Sequence, residues 1–383
     1  MQLQEDVLRQ EIFTVLDSIR RPDQEAMREA KTRWNSIAKP LHSLGRLEDV
    51  IVQIAGIQRS AEIDIGSKAV VVLCGDHGVV QEGVTQTGSE VTRTVAENIA
   101  AGQSCISLMS RRAGAQVYVI DMGMDCDAYP QKDLLPGEIV DRKARRGTGN
   151  IAAERAMTQQ ECLQAIHAGI GIAQELADQG IKVIGLGEMG IGNTTPSSVI
   201  ASICYDLLPE VAAGKGAGLS EEGLERKVEV VTQARQRYWD EAAAAAGDEY
   251  FSARVAVELL SQVGGMEIAG MAGVCVGAAS RGLTVVLDGF ISDIAAAIAV
   301  LMQSRCREYL IASHLSSEPA ATIVLNMMKM NALIDADMHP GEGCGAAAAM
   351  PLLDMAAEVY REMKTFEQIG IKAYEDFGAK KES

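Results

Sequence analysis

The sequence predicts an α/β protein: an open parallel sheet with helices on both faces, behind an N-terminal stretch that is helical throughout. Three observations carry this. Apolar runs rich in β-branched residues recur from residue 68 onward, as KAVVVLCG, AQVYVIDMG, IKVIGLG, LTVVLDG and EYLIASH. Helix-patterned segments separate them, the alternation that builds parallel βαβ units. No strand pattern precedes residue 68, and the runs are apolar at successive positions, as strands covered on both faces must be. Ligands of such sheets bind beyond the carboxyl ends of the strands.

In chain order, Leu8, Ile12, Val15, Leu16 and Ile19 recur at helical spacing. Pro22 starts a second helix through Trp34 and Ile37, and RLEDVIVQIAGIQ forms a third after the turn KPLHSLG. Residues 1–60 are expected to form a small helical domain, joined by part of residues 331–383; residues 61–330 are expected to hold the sheet. Five strands follow from the apolar runs, with room for one more. Residues 126–150 lack a period and read as a long loop carrying Arg142, Lys143, Arg145 and Arg146, either solvated or in contact with a phosphate or partner. Residues 241–250 read as a helix end and turn. Beyond Met350 an amphipathic helix leads to a frayed AKKES tail.

Composition narrows the class. A chain of 383 residues, 48% hydrophobic, can bury a large core with a smaller attached unit. A net charge of −17 argues against nucleic acid or an anionic membrane as partner. The eight cysteines show no C-x-x-C pair. With Cys74, Cys204 and Cys275 inside apolar runs, they read as buried thiols of a reducing cytoplasm. The acidic start MQLQEDVLRQE is no signal peptide, and the most apolar region, 263–302, is broken by Glu267, Arg281, Asp288 and Asp293.

The segment IKVIGLGEMGIGNTTPSS is the centre of the functional reading. A strand ends in Glu188, a turn carries Gly190, Gly192, Asn193 and Thr194, and Thr195 with Pro196 reads as N-cap and first helical residue. Such a turn aims N–H groups and a positive helix end at an anion; it also reads as a tight βα connection with no ligand. Other strand ends collect Asp76 and His77, then Asp288, then Ser313, His314, Ser316 and Glu318. In HPGEGCGAAAAM, glycines flank Glu342 before a helix of small residues. A carboxylate desolvated there is a candidate general base, or an acid favoured by the helix dipole. Gly214-Lys215-Gly216, with Lys227 on the helix that follows, reads as an anion contact or as a solvated turn.

Taken together, KPLHSLGRLE, CGDHGV with EGV, GLGEMGIGNTTPSS, RKVEVV, VGGMEIAGMAGVCVGAA, LDGF, LIASH and GEGCGAAAAMPLL resemble the nicotinate-nucleotide–dimethylbenzimidazole phosphoribosyltransferase family, in its order and over residues 5–365. The resemblance implies a Rossmann-like three-layer large domain, a small all-helical domain from both chain ends and a homodimer. It implies transfer of phosphoribose from nicotinate mononucleotide to 5,6-dimethylbenzimidazole, giving α-ribazole 5′-phosphate and nicotinate in cobalamin nucleotide-loop biosynthesis, with no metal or organic cofactor. Glu342 takes the role of base and Glu188 that of an acid near the ribose C1′. Substrate contacts carry over to Gly190, Gly192, Asn193, Thr194, Lys227, Ser316, Gly341, Gly343, Asp76 and His77, and acceptor contacts to Val84, Thr87, Leu315 and Pro340. Adenine or a phenol as acceptor, or a non-catalytic subunit needing a paralogous partner, are the competing readings.

Overall fold

The computed structural model describes residues 2–129, 133–244 and 252–375. Its sheet comprises β1 (Lys68–Gly75), β2 (Ala115–Gly123), β3 (Ile139–Asp141), β4 (Val183–Met189), β5 (Thr284–Leu287) and β6 (Leu310–Ala312). They run in the order β3-β2-β1-β4-β5-β6 with every pairing parallel. The chain winds outward from β1 to β3, then returns to the other side of β1 as β4. Connections leave β1 and β4 in opposite directions, so a crevice opens at their carboxyl ends. The register sets Leu73 beside Glu188 and Cys74 beside Met189 at that mouth.

The sixth strand corrects the reading of residues 126–150 as loop. Ile139-Val140-Asp141 pairs with the end of β2, and three residues are too few to show a period. The basic residues beside it are tied to acids. Lys143 Nζ lies 2.5 Å from Asp121 Oδ2, Arg142 pairs with Glu175, Arg145 with Glu161, and Arg146 with Asp127. Burial raises the Asp121 carboxyl, and Lys143 opposes that shift.

Alternate residues of β1 feed two cores. Val71 and Leu73 join the layer of helices Gln159–Asp178 and Met266–Arg281; Val70, Val72 and Cys74 join the layer of Cys105–Ala113 and Cys344–Glu362. Each fully buried aliphatic contributes about 1.5–3 kcal/mol. The first layer is exceptionally close. A methyl group on Gly169 would sit 2.0 Å from Gly270 O, so only glycine lets these helices cross here.

Helix Gln2–Ser18 packs on the first layer through Ile12 and Leu16. Helices Gln24–Ser36 and Arg46–Gln58 pack on the second, with Trp34 edge-on to Tyr360 at 5.2 Å. Asp23 caps the second helix, accepting from Glu25 and Ala26 N–H. A small domain of residues 1–60 and 331–383 remains a proposal, resting on that second packing. Cys204, expected buried, is exposed because it ends its helix facing outward; Cys74 and Cys275 are buried. The expected turn at 245–250 and the AKKES tail lie outside the described residues. Among the described residues no helix is long and apolar enough to cross a membrane.

Candidate active site

At the carboxyl edge of the sheet lies a cleft of about 220 Å³. Five chain segments meet there: the turn after β4, the loop at Gly216 and Ala217, the start of helix Phe290–Met302 after β5, the segment after β6, and the turn before helix Cys344–Glu362. Glu188, Gly190, Asn193, Thr194, Ser316 and Pro340 line it, with Gly341 and Glu342. The parallel topology brings the ends of β4, β5 and β6 to one edge, and the turn before helix Cys344–Glu362 packs against β4 at Gly187.

The β4 turn is built around Glu188. Its side chain is buried, and Oε2 accepts from Asn193 Nδ2. Burial pushes this carboxyl up to about 8; Asn193 opposes, and the nearby charges of Asp288, Glu267 and Glu342 add to the rise. The same bond explains a shifted helix start. Asn193, not Thr195, occupies the N-cap position, and its amide is engaged by Glu188 instead of the helix. Pro196 falls at the third helical position, still within the first turn where no N–H partner is needed. A Cβ on Gly190 would meet Gly75 O at 2.5 Å. Ile191 N–H donates to Thr92 Oγ1 at 3.1 Å, which ties the turn to helix Glu90–Ala100.

Across the cleft, Gly341, Glu342 and Gly343 adopt φ of 69°, 60° and 96°. A left-handed glutamate costs about 1–2 kcal/mol, so the surroundings must hold it. Glu342 Oε2 is buried with no hydrogen-bond partner among the described residues. Burial raises its pKa, opposed by the Ile106 backbone N–H at the start of the neighbouring helix. The two glutamates thus face one space, and burial disfavours the charged form of each.

Other expected contacts stand behind the cleft wall. Lys227 is fully buried; its Nζ donates to Thr194 Oγ1 and Gly214 O, both at 2.8 Å. Burial lowers its pKa to about 8. His77 Nε2 pairs with Glu267 Oε1 at 2.7 Å beneath the glycine turn, and Asp76 Oδ2 accepts from Asp125 N–H at 2.7 Å. Gly192 packs on Val80, and Gly343 donates its N–H to Asp288. Lys215 pairs with Glu221 on the exposed side. Of the expected acceptor contacts, Pro340 lines the cleft, Leu315 is half-buried, Val84 lies in the core and Thr87 is exposed.

Asp288, His314 and Glu318 line the cleft and were named from the sequence only as strand-end residues. Burial lowers the His314 pKa, which favours the neutral ring. Glu318 Oε1 accepts from Gly216 N–H at 2.9 Å and holds the Gly214–Gly218 loop over the cleft. Among the described residues no group of His, Cys, Asp and Glu is arranged to hold a metal.

Comparison with known proteins agrees with this geometry. A family profile described as phosphoribosyltransferase matches residues 19–371. The chain is 39% identical over 364 residues to a nicotinate-nucleotide–dimethylbenzimidazole phosphoribosyltransferase of Acetivibrio thermocellus, covering 95% of this chain and 99% of the relative. It is 38% identical over 363 residues to a protein of the same name from Yersinia enterocolitica, covering 95% and 98%. A crystal structure of the so-named enzyme from Thermus thermophilus superposes with a TM-score of 0.81 at 35% identity, covering 91% of this chain and 99% of that one.

Proposed function

This chain belongs to the nicotinate-nucleotide–dimethylbenzimidazole phosphoribosyltransferase family, and we propose that it transfers phosphoribose from nicotinate mononucleotide to 5,6-dimethylbenzimidazole or a related lower-ligand base. The products are α-ribazole 5′-phosphate and nicotinate, formed in cobalamin nucleotide-loop biosynthesis. The observation that carries the assignment to this cleft is Glu342: a partly buried carboxyl, one oxygen without a partner among the described residues, facing the mouth of the sheet opposite Glu188.

The chemistry asks for such a group. The bare ring nitrogen of the acceptor bonds to C1′ while the C1′–N bond to the pyridinium breaks, its electron pair leaving with nicotinate. The attacking ring becomes cationic unless its other nitrogen gives up a proton, and Glu342 takes it. Glu188 faces the electron-poor C1′. Displacement from the opposite face turns a β-nucleotide into an α-nucleotide in one step. The phosphate rests on Gly190, Asn193 and Thr194 at a helix N-terminus, with Ser316 and Gly341 opposite. Lys227 acts through Thr194, and Gly192, Gly343, Asp76 and His77 shape the turns beneath. Val84, Thr87, Leu315 and Pro340 are retained for the acceptor ring. The reading includes no metal or organic cofactor, a homodimer, and a place in the cytoplasm.

Glu342→Gln tests it. Turnover should fall on the order of a hundredfold or more, with nicotinate mononucleotide still bound by calorimetry; unchanged turnover removes Glu342 from the mechanism. Incubating the purified chain with nicotinate mononucleotide and a panel of bases, read by mass spectrometry, identifies the acceptor. No nucleotide product from any base would favour the non-catalytic subunit.

A further inference from the structure

Helix Cys344–Glu362 begins at Gly343, which has no side chain to cap it. The first N–H groups of any helix need partners. Here a distant segment supplies them. Asp288, just past β5, accepts from Gly343 N–H through Oδ2 at 3.0 Å and from Gly345 N–H through Oδ1 at 2.6 Å. Asp288 is itself held on both sides: its N–H donates to Ser292 Oγ at 2.8 Å, and its C=O accepts from Ser313 Oγ at 2.9 Å. The residue is 3% exposed. Gly345 is pressed against His314, where a Cβ would lie 1.9 Å from Nδ1, so the turn cannot slide toward β6.

We propose that Asp288 is the positioning residue of the transfer reaction, clamping the left-handed turn 341–343 so that the Glu342 carboxylate faces the cleft. This rests on Glu342 being the base. Asp288 lines the same cleft, yet both its oxygens are engaged by peptide N–H groups, so it serves the turn and not the substrate. It acts only through Glu342. The clamp links two strand ends: the residue after β5 carries the carboxylate, the residue after β6 the serine that fixes it, and the turn before the C-terminal helix the base they aim.

A double-mutant cycle in the full-length protein tests this. Asp288→Asn keeps the shape but sets an amide NH₂ against a peptide N–H. A small displacement of a reacting group is expensive. The substitution should lower kcat by about ten- to a hundredfold and leave the KM for nicotinate mononucleotide within about twofold. On a Glu342→Gln background it should change the rate by less than about threefold, because the group it aims is gone. Ser313→Ala, outside the cleft, should lower kcat in the same direction by about threefold. It keeps the test open should Asp288→Asn not fold. Wild-type kcat in Asp288→Asn, or losses that multiply in the double mutant, overturn the clamp; multiplication would mean direct contact with substrate. A fully active Glu342→Gln would instead sink the base assignment, and the clamp with it. An inactive Glu342→Gln beside an active Asp288→Asn sinks the clamp alone.

Discussion

Replacing Glu188 by glutamine should stabilise the protein, and more so as pH rises. The side chain is 7% exposed, and burial pushes its carboxyl up to about 8. In the unfolded chain it titrates near about 4.3. The folded state therefore binds this proton more tightly between those two values, and the wild type loses stability as pH climbs through the window, completely above it. Glutamine has no proton to lose, and its carbonyl still accepts from Asn193. Linkage gives a gap of about 1 kcal/mol at pH 5 and a ceiling of about 4–5 kcal/mol at pH 8. Paired urea melts at pH 5, 6.5 and 8 should show the gap widening. A gap independent of pH, or a wild type that gains on the glutamine variant as pH rises, would refute the reasoning. The variant should also turn over slowly, since the group that costs stability is the one we propose to face C1′.

Burial raises Glu342, and a base must be ionised. The acid limb of the rate–pH profile should therefore lie above the ordinary carboxylate range, with the rate rising through it, and should vanish in Glu342→Gln; a limb near pH 4 or below contradicts this. Lys143→Met leaves Asp121 buried without its cation and should cost about 3–5 kcal/mol in denaturant melts, with the KM for nicotinate mononucleotide unchanged. A raised KM would revive the phosphate reading of that loop.

Residues whose work is local were legible in the sequence. Long apolar runs gave β1, β2 and β4, and the glycines flanking Glu342 marked a turn, whose positive φ the structure adds. β3 escaped because three edge residues carry no period. The cap shift at Asn193 escaped because its competitor, Glu188, lies on the preceding strand. His77 was legible as a strand-end residue, but its turn toward Glu267 depends on a helix 190 positions away. Asp288 is the sharpest case. The sequence shows an acid at the end of a strand, and only the order β4-β5-β6 puts it under the first N–H groups of the C-terminal helix. Pattern reports what a residue does for its own segment; partnership between segments needs the sheet order.

An acidic protein that binds an anionic nucleotide must keep its own carboxylates from repelling it. With a net charge of −17, this chain places Glu188, Asp288, Glu318 and Glu342 around one cleft and hides Lys227 behind Thr194. Ionised and solvated, the four acids would oppose a phosphate strongly. Burial removes much of that opposition: at pH 7 Glu188 is mostly uncharged, and two oxygens of Asp288 are turned onto peptide N–H groups. On the proposed reading, what the phosphate meets is the positive end of helix Thr194–Cys204. The same desolvation serves the chemical step, because a glutamate that resists ionisation in the empty cleft ionises more readily beside a pyridinium or an oxocarbenium. On this reading, anion binding and cation stabilisation are two consequences of one pocket lined with desolvated acids.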